Sequence, residues 1–323
     1  MAAAFTALPC FSANAKHYAP GLAVICGVIF AVAWGNPFAR YTTKLTSHLL
    51  AAAIVLMGFG MDIGAVLQAG AHGLIYTFTG IVLGLGIGVW LGKKLGVEHD
   101  CAWLVSVGTA ICGGSAIAAA APALNAKSHS IAIASATVFT LNAVALLIFP
   151  VIGHHLHFSQ EQFGFWSALA IHDTSSVVGA TMQYGKEALA VGATVKLARA
   201  LWIIPVTLFL SLFVVKHRAH RGKEGETVPA KKFRVKVPWF IPGFLIAAAI
   251  VSFLPVLAGP GNGLKELSKY LMILTLFLIG ANLSREKLKE LGLKPVVMGV
   301  CLWIFLAALW GSLICFHVVD CVQ

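Results

Sequence analysis

Cys112-Gly113-Gly114-Ser115 interrupts an apolar run over residues 102–124, and His172-Asp173-Thr174-Ser175-Ser176 interrupts a second run over 164–184. Each run is long enough to enter about 30 Å of hydrocarbon. A polar break at that depth frees backbone N–H and C=O groups, which are tolerated only where protein or a water-filled cavity satisfies them. The two segments also match each other, since a shift of 60 positions brings Ser115 onto Ser175, Ala120 onto Ala180 and Ile131 onto Val191. This pair of interruptions predicts the functional centre of the molecule.

Apolar segments surround the pair at about 18–35, 48–70, 73–92, 129–152, 189–215, 238–258, 268–284 and 295–317, making ten with the two broken ones. With 59% hydrophobic and 11% charged residues in 323, and a mean hydropathy of +0.88, the chain reads as an all-α polytopic membrane protein. No length remains for a soluble domain. The net charge of +11 is a matter of placement, because eight of the 23 Lys and Arg residues fall between Lys216 and Lys236. That polar stretch reads as a cytoplasmic linker, not as a nucleic-acid surface. The seven cysteines show no C-x-x-C and no metal-ligand spacing, so neither metal nor cofactor is expected. The stretch before Ala19 lacks a basic region and reads as an uncleaved external tail.

A second offset relates the outer segments. Pro20-Gly21 recurs as Pro242-Gly243, Gly58 as Gly280 and Gly70 as Gly292, each pair 222 positions apart. The stretch between Gly60 and Gly73, taken as the connection of helices two and three, holds Asp62 and His72 but no Lys or Arg; its counterpart holds Arg285, Lys287, Lys289 and Lys294. Opposite charge signatures predict opposite orientation, which is the inverted repeat of secondary transporters. Residues 1–152 then form the first repeat. The second, 153–323, contains the basic linker 216–237 and a three-helix unit 238–317. Both termini are expected outside the cytoplasm. Parity leaves two topologies for 102–124 and 164–184: re-entrant hairpins entering from opposite sides, or crossing helices unwound at their centres.

Gly113 and Gly114 permit a turn that other residues resist, and Ser115 is a good N-cap for the half-helix that follows. Ser175 or Ser176 offers the same on the second segment. Two helix N-termini meeting near the midplane make an anion site from backbone N–H groups and dipoles. Lys196 and Arg199, three apart on one face of the 189–215 segment, carry full charges that require an anion, a carboxylate or water. Direct contact with substrate, pairing with Asp173 and snorkelling outward all satisfy that need. His172 beside Asp173 suggests proton coupling. Asn142, Thr137 and Thr140 line the cavity or bond between helices.

At Ile111-Cys112-Gly113-Gly114-Ser115-Ala116-Ile117, Ile171-His172-Asp173, Val177-Val178-Gly179-Ala180 and Lys196-Leu197-Ala198-Arg199 with Pro205, the chain resembles the YeiH-type sulfate exporter family of bacterial inner-membrane proteins. More distantly it is similar to the cation-proton antiporter and bile-acid transporter superfamily. The family usually places Glu after the His and often Gln three residues later, where this chain has Asp173, Ser175 and Ser176. It also commonly carries one more N-terminal helix. The resemblance implies a gradient-coupled exporter of a small anion such as sulfate or a sulfonate. Gly113, Gly114, Ser115, Ser175, Ser176, Lys196 and Arg199 would bind substrate, and His172 and Asp173 would couple H⁺. Na⁺ coupling, cation-proton antiport and an anion channel are the alternatives. A homodimer follows only by analogy. Adjacent His172 and Asp173 cannot easily form a hydrolytic relay, so an enzyme is not expected.

Overall fold

The computed structural model describes residues 13–220, 239–282 and 292–316. Arg285, Lys287, Lys289 and most of the basic stretch from Lys216 to Lys236 lie outside them. The described residues are helical, with no strand among them. In order they are α1 (Ala13–Ala33), α2 (Ala39–Gly58), α3 (Ile63–Leu95), α4 (His99–Ala110), α5 (Gly114–Leu124), α6 (Ser128–His155) and α7 (Gln160–Ala170). There follow α8 (Thr174–Tyr184), α9 (Lys186–Ala200), α10 (Ile203–His220), α11 (Phe240–Phe253), α12 (Ala258–Ala281) and α13 (Leu293–Cys315). Among the described residues four stretches are long and apolar enough to cross a membrane: α3, α6, Lys186–Leu212 across α9 and α10, and α13.

Several boundaries depart from the sequence reading: α12 begins at Ala258, ten residues before the apolar run over 268–284, and the run over 189–215 is divided between α9 and α10. The apolar run over 48–70 is not one helix: α2 ends at Gly58, and α3 begins at Ile63 and continues to Leu95 through the stretch taken as a loop. Asp62 decides this. Its carboxylate accepts from Ala65 N at 2.9 Å and caps the new helix, so a charge that reads as a loop residue is a start signal. At the other end Gly96, in the left-handed conformation, closes α3.

The offset of 222 persists in three dimensions. Shifted by it, α2 falls on α12, and α3 overlaps α13. The third helices run antiparallel. A Cβ built on Gly80 would lie 3.1 Å from Trp310, on Gly84 3.6 Å from Leu306, and on Gly88 2.9 Å from Leu302. Leu306 is the residue 222 positions after Gly84, and the Gly80 and Gly88 contacts exchange under the same shift. Glycines at every fourth position let the two backbones approach closely. α2 and α12 are likewise antiparallel, with Ser268 Oγ donating to Ala53 O at 2.9 Å and Asn282 Nδ2 donating to Thr46 Oγ1 at 3.2 Å.

Between these outer helices lie two helical hairpins. The first is α4 and α5, turned at Ile111–Gly113. Its ends meet, because Lys127 Nζ donates to Glu98 Oε1 at 2.6 Å and Ser130 Oγ to Glu98 Oε2 at 2.9 Å. These contacts hold the Glu98 carboxyl below its ordinary value and raise the Lys127 ammonium. The second hairpin is α7 and α8, turned at Ile171–Asp173. It closes through Gln160 Oε1, which accepts from Glu187 N at 3.1 Å, and through Tyr184 Oη, which donates to Phe158 O at 2.6 Å. The bases of the two hairpins adjoin opposite ends of the 28-residue α6. A crossing helix unwound at its centre would carry its two ends apart, so hairpin geometry prevails over that alternative. Lys127 shares its end of the bundle with Lys93, Lys94 and Lys294, whose Nζ lies 3.4 Å from a Cβ built on Gly96.

Candidate functional site at the hairpin tips

The tips touch. Gly113 has φ +70 and ψ −130, a conformation that side chains resist, and a Cβ there would stand 3.3 Å from Asp173 Cβ. Gly113, not Ser115, is the N-cap of α5, and it supplies no side-chain cap. Ser115 sits inside the first turn and is exposed. On the other tip Asp173 is the N-cap of α8. Its Oδ2 accepts from Ser175 N at 3.0 Å and from the Ser175 hydroxyl. Ser175 and Ser176 are buried, while Asp173 is partly exposed. Asn142 on α6 fixes the turn by accepting from Asp173 N through Oδ1 at 3.1 Å.

Lys196 and Arg199 on α9 are fully enclosed, at 0% and 1% exposure, which removes snorkelling. Their hydrogen bonds go to carbonyl oxygens at the ends of the first arms. Lys196 Nζ donates to Ile171 O at 2.6 Å and Ala168 O at 3.4 Å. Arg199 Nε donates to Ala110 O at 2.8 Å, and Nη1 to Ala168 O at 3.0 Å and Leu169 O at 2.5 Å. One guanidinium therefore ties α4 to α7. The last carbonyls of a helix lack intrahelical partners and carry about half a negative charge, so each broken helix presents such an end in the interior. Sequence reading weighed an anion, Asp173 and lipid headgroups as partners; it missed the backbone, which carries no side-chain signature. No ion pair joins Asp173 to either cation among the described residues.

His172 is completely buried, and neither ring nitrogen has a partner among the described residues. Its ring lies 6.0 Å from that of Trp303 on α13. The sequence offered no reason to single out Trp303. Thr137 stands against Gly299, one turn before Trp303, whereas Thr140 bonds only to the carbonyl of Ala136 on its own helix. Among the described residues no group of three His, Cys, Asp or Glu could hold a metal ion.

Comparison with known proteins places this arrangement in a family. A model described as conserved hypothetical protein 698 matches residues 2–299. The chain belongs to this family. It is 51% identical to a UPF0324 membrane protein of Bdellovibrio bacteriovorus over 88% of its own length and 86% of the relative's. A UPF0324 membrane protein of Geobacter sulfurreducens is 47% identical, covering 89% and 88% of the two chains. One from Bacteroides thetaiotaomicron is 40% identical over 93% and 87%. No solved structure matches. The relatives' names agree with the apolar helices in making this a membrane protein.

Proposed function

We propose that the chain is a secondary transporter that exports a small anion of the sulfate or sulfonate type across the bacterial inner membrane by alternating access. The contact of Gly113 with Asp173, at the tips of hairpins closed from opposite ends, carries the reading. Antiparallel, reciprocal packing of α3 with α13 supports an inverted repeat, and Lys93, Lys94, Lys127 and Lys294 at one end support a cytoplasmic assignment of that end. On this assignment α1 begins, and α13 finishes, on the outer side.

Charge at the crossing favours an anion. Each of the four helix ends contributes about half an elementary charge, and the two positive ends cancel the two negative ones. Lys196 and Arg199, counted as cations, add two positive charges, and ionised Asp173 removes one. The site is then about one charge positive, rising to about two when Asp173 is protonated. A monoanionic sulfonate suits the first state and sulfate the second, so proton uptake at Asp173 would couple to binding. The open end is the N-terminus of α5, where Gly114, Ser115 and the following backbone N–H groups start without a side-chain cap. Ser175 and Ser176 contribute to the same crossing through α8, and Lys196 and Arg199 act on the anion through the field they set, holding the first arms in place. His172 lies on the protected side of the tip.

Flux of radiolabelled sulfate into proteoliposomes under an imposed pH gradient tests the proposal, with taurine and sulfoacetate as competitors. Saturable uptake that follows the gradient is expected. Flux that is linear in concentration would make the protein a channel. Na⁺–H⁺ exchange without anion movement, abolished by Asp173→Asn, would make it a cation antiporter. Uptake requiring Na⁺ instead of a pH gradient would replace the proton as coupling ion.

A further inference from the structure

The interior behind the second hairpin tip holds an unusual concentration of buried hydrogen-bonding groups without partners. Both nitrogens of His172, Trp303 Nε1, Asn142 Nδ2 and Thr137 Oγ1 have none among the described residues, and all belong to side chains more than nine-tenths buried. Folded proteins leave few such groups, because each forfeits its hydration without replacement. These are neighbours. The His172 and Trp303 rings lie 6.0 Å apart. Asn142 is anchored at Asp173 N through Oδ1, which holds its free amide beside the same tip. Thr137 lies one turn away on the same pair of helices, its methyl 2.9 Å from a Cβ built on Gly299.

Their chemistry leans toward donation. The indole N–H and the carboxamide NH₂ only donate, whereas the hydroxyl both donates and accepts and neutral imidazole offers one N–H and one acceptor nitrogen. Immediately beside them Lys196 Nζ is bonded to Ile171 O, the carbonyl preceding His172. Donors in excess of acceptors, beside a buried cationic side chain, call for a ligand made of acceptor oxygens.

Resting on the transport reading above, we propose that Trp303, Asn142 and His172 form a second anion subsite behind the hairpin tip, which receives the oxygens of a sulfate or sulfonate group as the tip moves. Trp303 and Asn142 would then set specificity for an oxyanion over a halide, because their separated donors fit several oxygens but not one spherical ion.

Calorimetric titration of the full-length purified protein with sodium sulfate, and with sodium chloride as control, tests the site. Trp303→Phe deletes one N–H while keeping an aromatic ring. Asn142→Asp keeps the acceptor for Asp173 N and replaces the free donor with an oxygen. Each is expected to weaken sulfate binding at least tenfold. Should either variant fold poorly, unaltered protein labelled with 5-fluorotryptophan provides an independent readout. Of the eight tryptophan resonances, the one that disappears from a folded Trp303→Phe or Trp303→Tyr preparation while the others keep their positions is assigned to Trp303, and it should shift on sulfate addition. Sulfate binding with that resonance unmoved, or variants that bind as tightly as the unaltered chain, would mean that ordered water alone fills the space and would overturn the subsite while leaving the carrier intact. An unaltered protein that binds no oxyanion would overturn both.

Discussion

The two hairpins are built to the same plan and finished differently. Shifted by 60 positions, α5 at Gly114–Leu124 coincides with α8 at Thr174–Tyr184, and Gly113 falls on Asp173. The first tip therefore ends in a helix start without a side-chain cap, whereas the second is capped by a carboxylate. Their surroundings diverge as well. Ser115 is exposed, with α5 packed on α6 and α10, while its counterpart Ser175 is buried and α8 packs against α1 and, through Gly179, against Leu276 of α12. A pair of matched helices thus supplies one open positive end and one that is already occupied. Among the side chains that differ between the tips, Asp173 alone supplies a carboxylate.

The strongest way to break this comparison is to remove what holds both hairpins together. Arg199→Met leaves the carbonyls of Ala110 and Leu169 without their side-chain donor and Ala168 with only the long bond from Lys196, at about 1–3 kcal/mol for each unsatisfied group. Loss of monodisperse protein on size-exclusion chromatography is expected, and a stable, monodisperse variant would show that the guanidinium is not the tie. Gly113→Ala acts on the first tip alone, costing about 1–3 kcal/mol for a side chain at positive φ with Asp173 in the way. Its melting temperature in detergent should fall, and sulfate flux should fall further than Leu or Ala substitutions remote from the tips can explain.

Asp173→Asn sharpens the contrast at the second tip. Asn is also a good N-cap, so stability should change by less than about 1 kcal/mol. What should vanish is the dependence of flux on the pH gradient, measured in proteoliposomes. The smallest effect is expected at the base of the first hairpin. Glu98 has a lowered pKa, so the clasp contributes above the ordinary glutamate value of 4.5 and is lost as pH falls through the lower, folded value. Lys127 is raised, so its contribution is complete below the ordinary value of 10.5 and is lost only as pH rises beyond it. Protection of the amides at residues 125–131, expressed relative to their intrinsic exchange rate at each pH, should therefore fall on acidification below about pH 4.5. Lys127→Met should reduce that loss of protection to what the Ser130 hydroxyl sustains, and 0.5 M salt should blunt it.

Much of the architecture was legible because membrane insertion punishes polar atoms. Gly113-Gly114-Ser115 and His172-Asp173-Thr174 announced their breaks, and the shift of 60 marked the two as a pair. Three features escaped. The start of α3 was hidden because Gly58, Phe59 and Gly60 are apolar enough to pass for membrane residues, and Asp62 was read for its charge instead of its capping oxygen. The partners of Lys196 and Arg199 were hidden because a carbonyl belongs to every residue alike. Trp303 was hidden because it reaches His172 from a helix more than a hundred positions away, and nothing periodic links them.

Helix α3 carries one more implication. At about 1.5 Å per residue its 33 residues extend roughly 50 Å, against roughly 30 Å of acyl chain. Lys94, whose ammonium lies 5.1 Å from the Trp90 ring, moors one extremity near the headgroups, so the excess must be absorbed by leaning or by protruding at the Ile63 extremity. Its antiparallel companion α13 is ten residues shorter, at 23, and cannot lean with it along its full course. Lipid chain length consequently enters as a mechanical load on the contact line between α3 and α13. Vesicles of thin and thick phosphatidylcholine offer a dial for turning that load without altering a single residue.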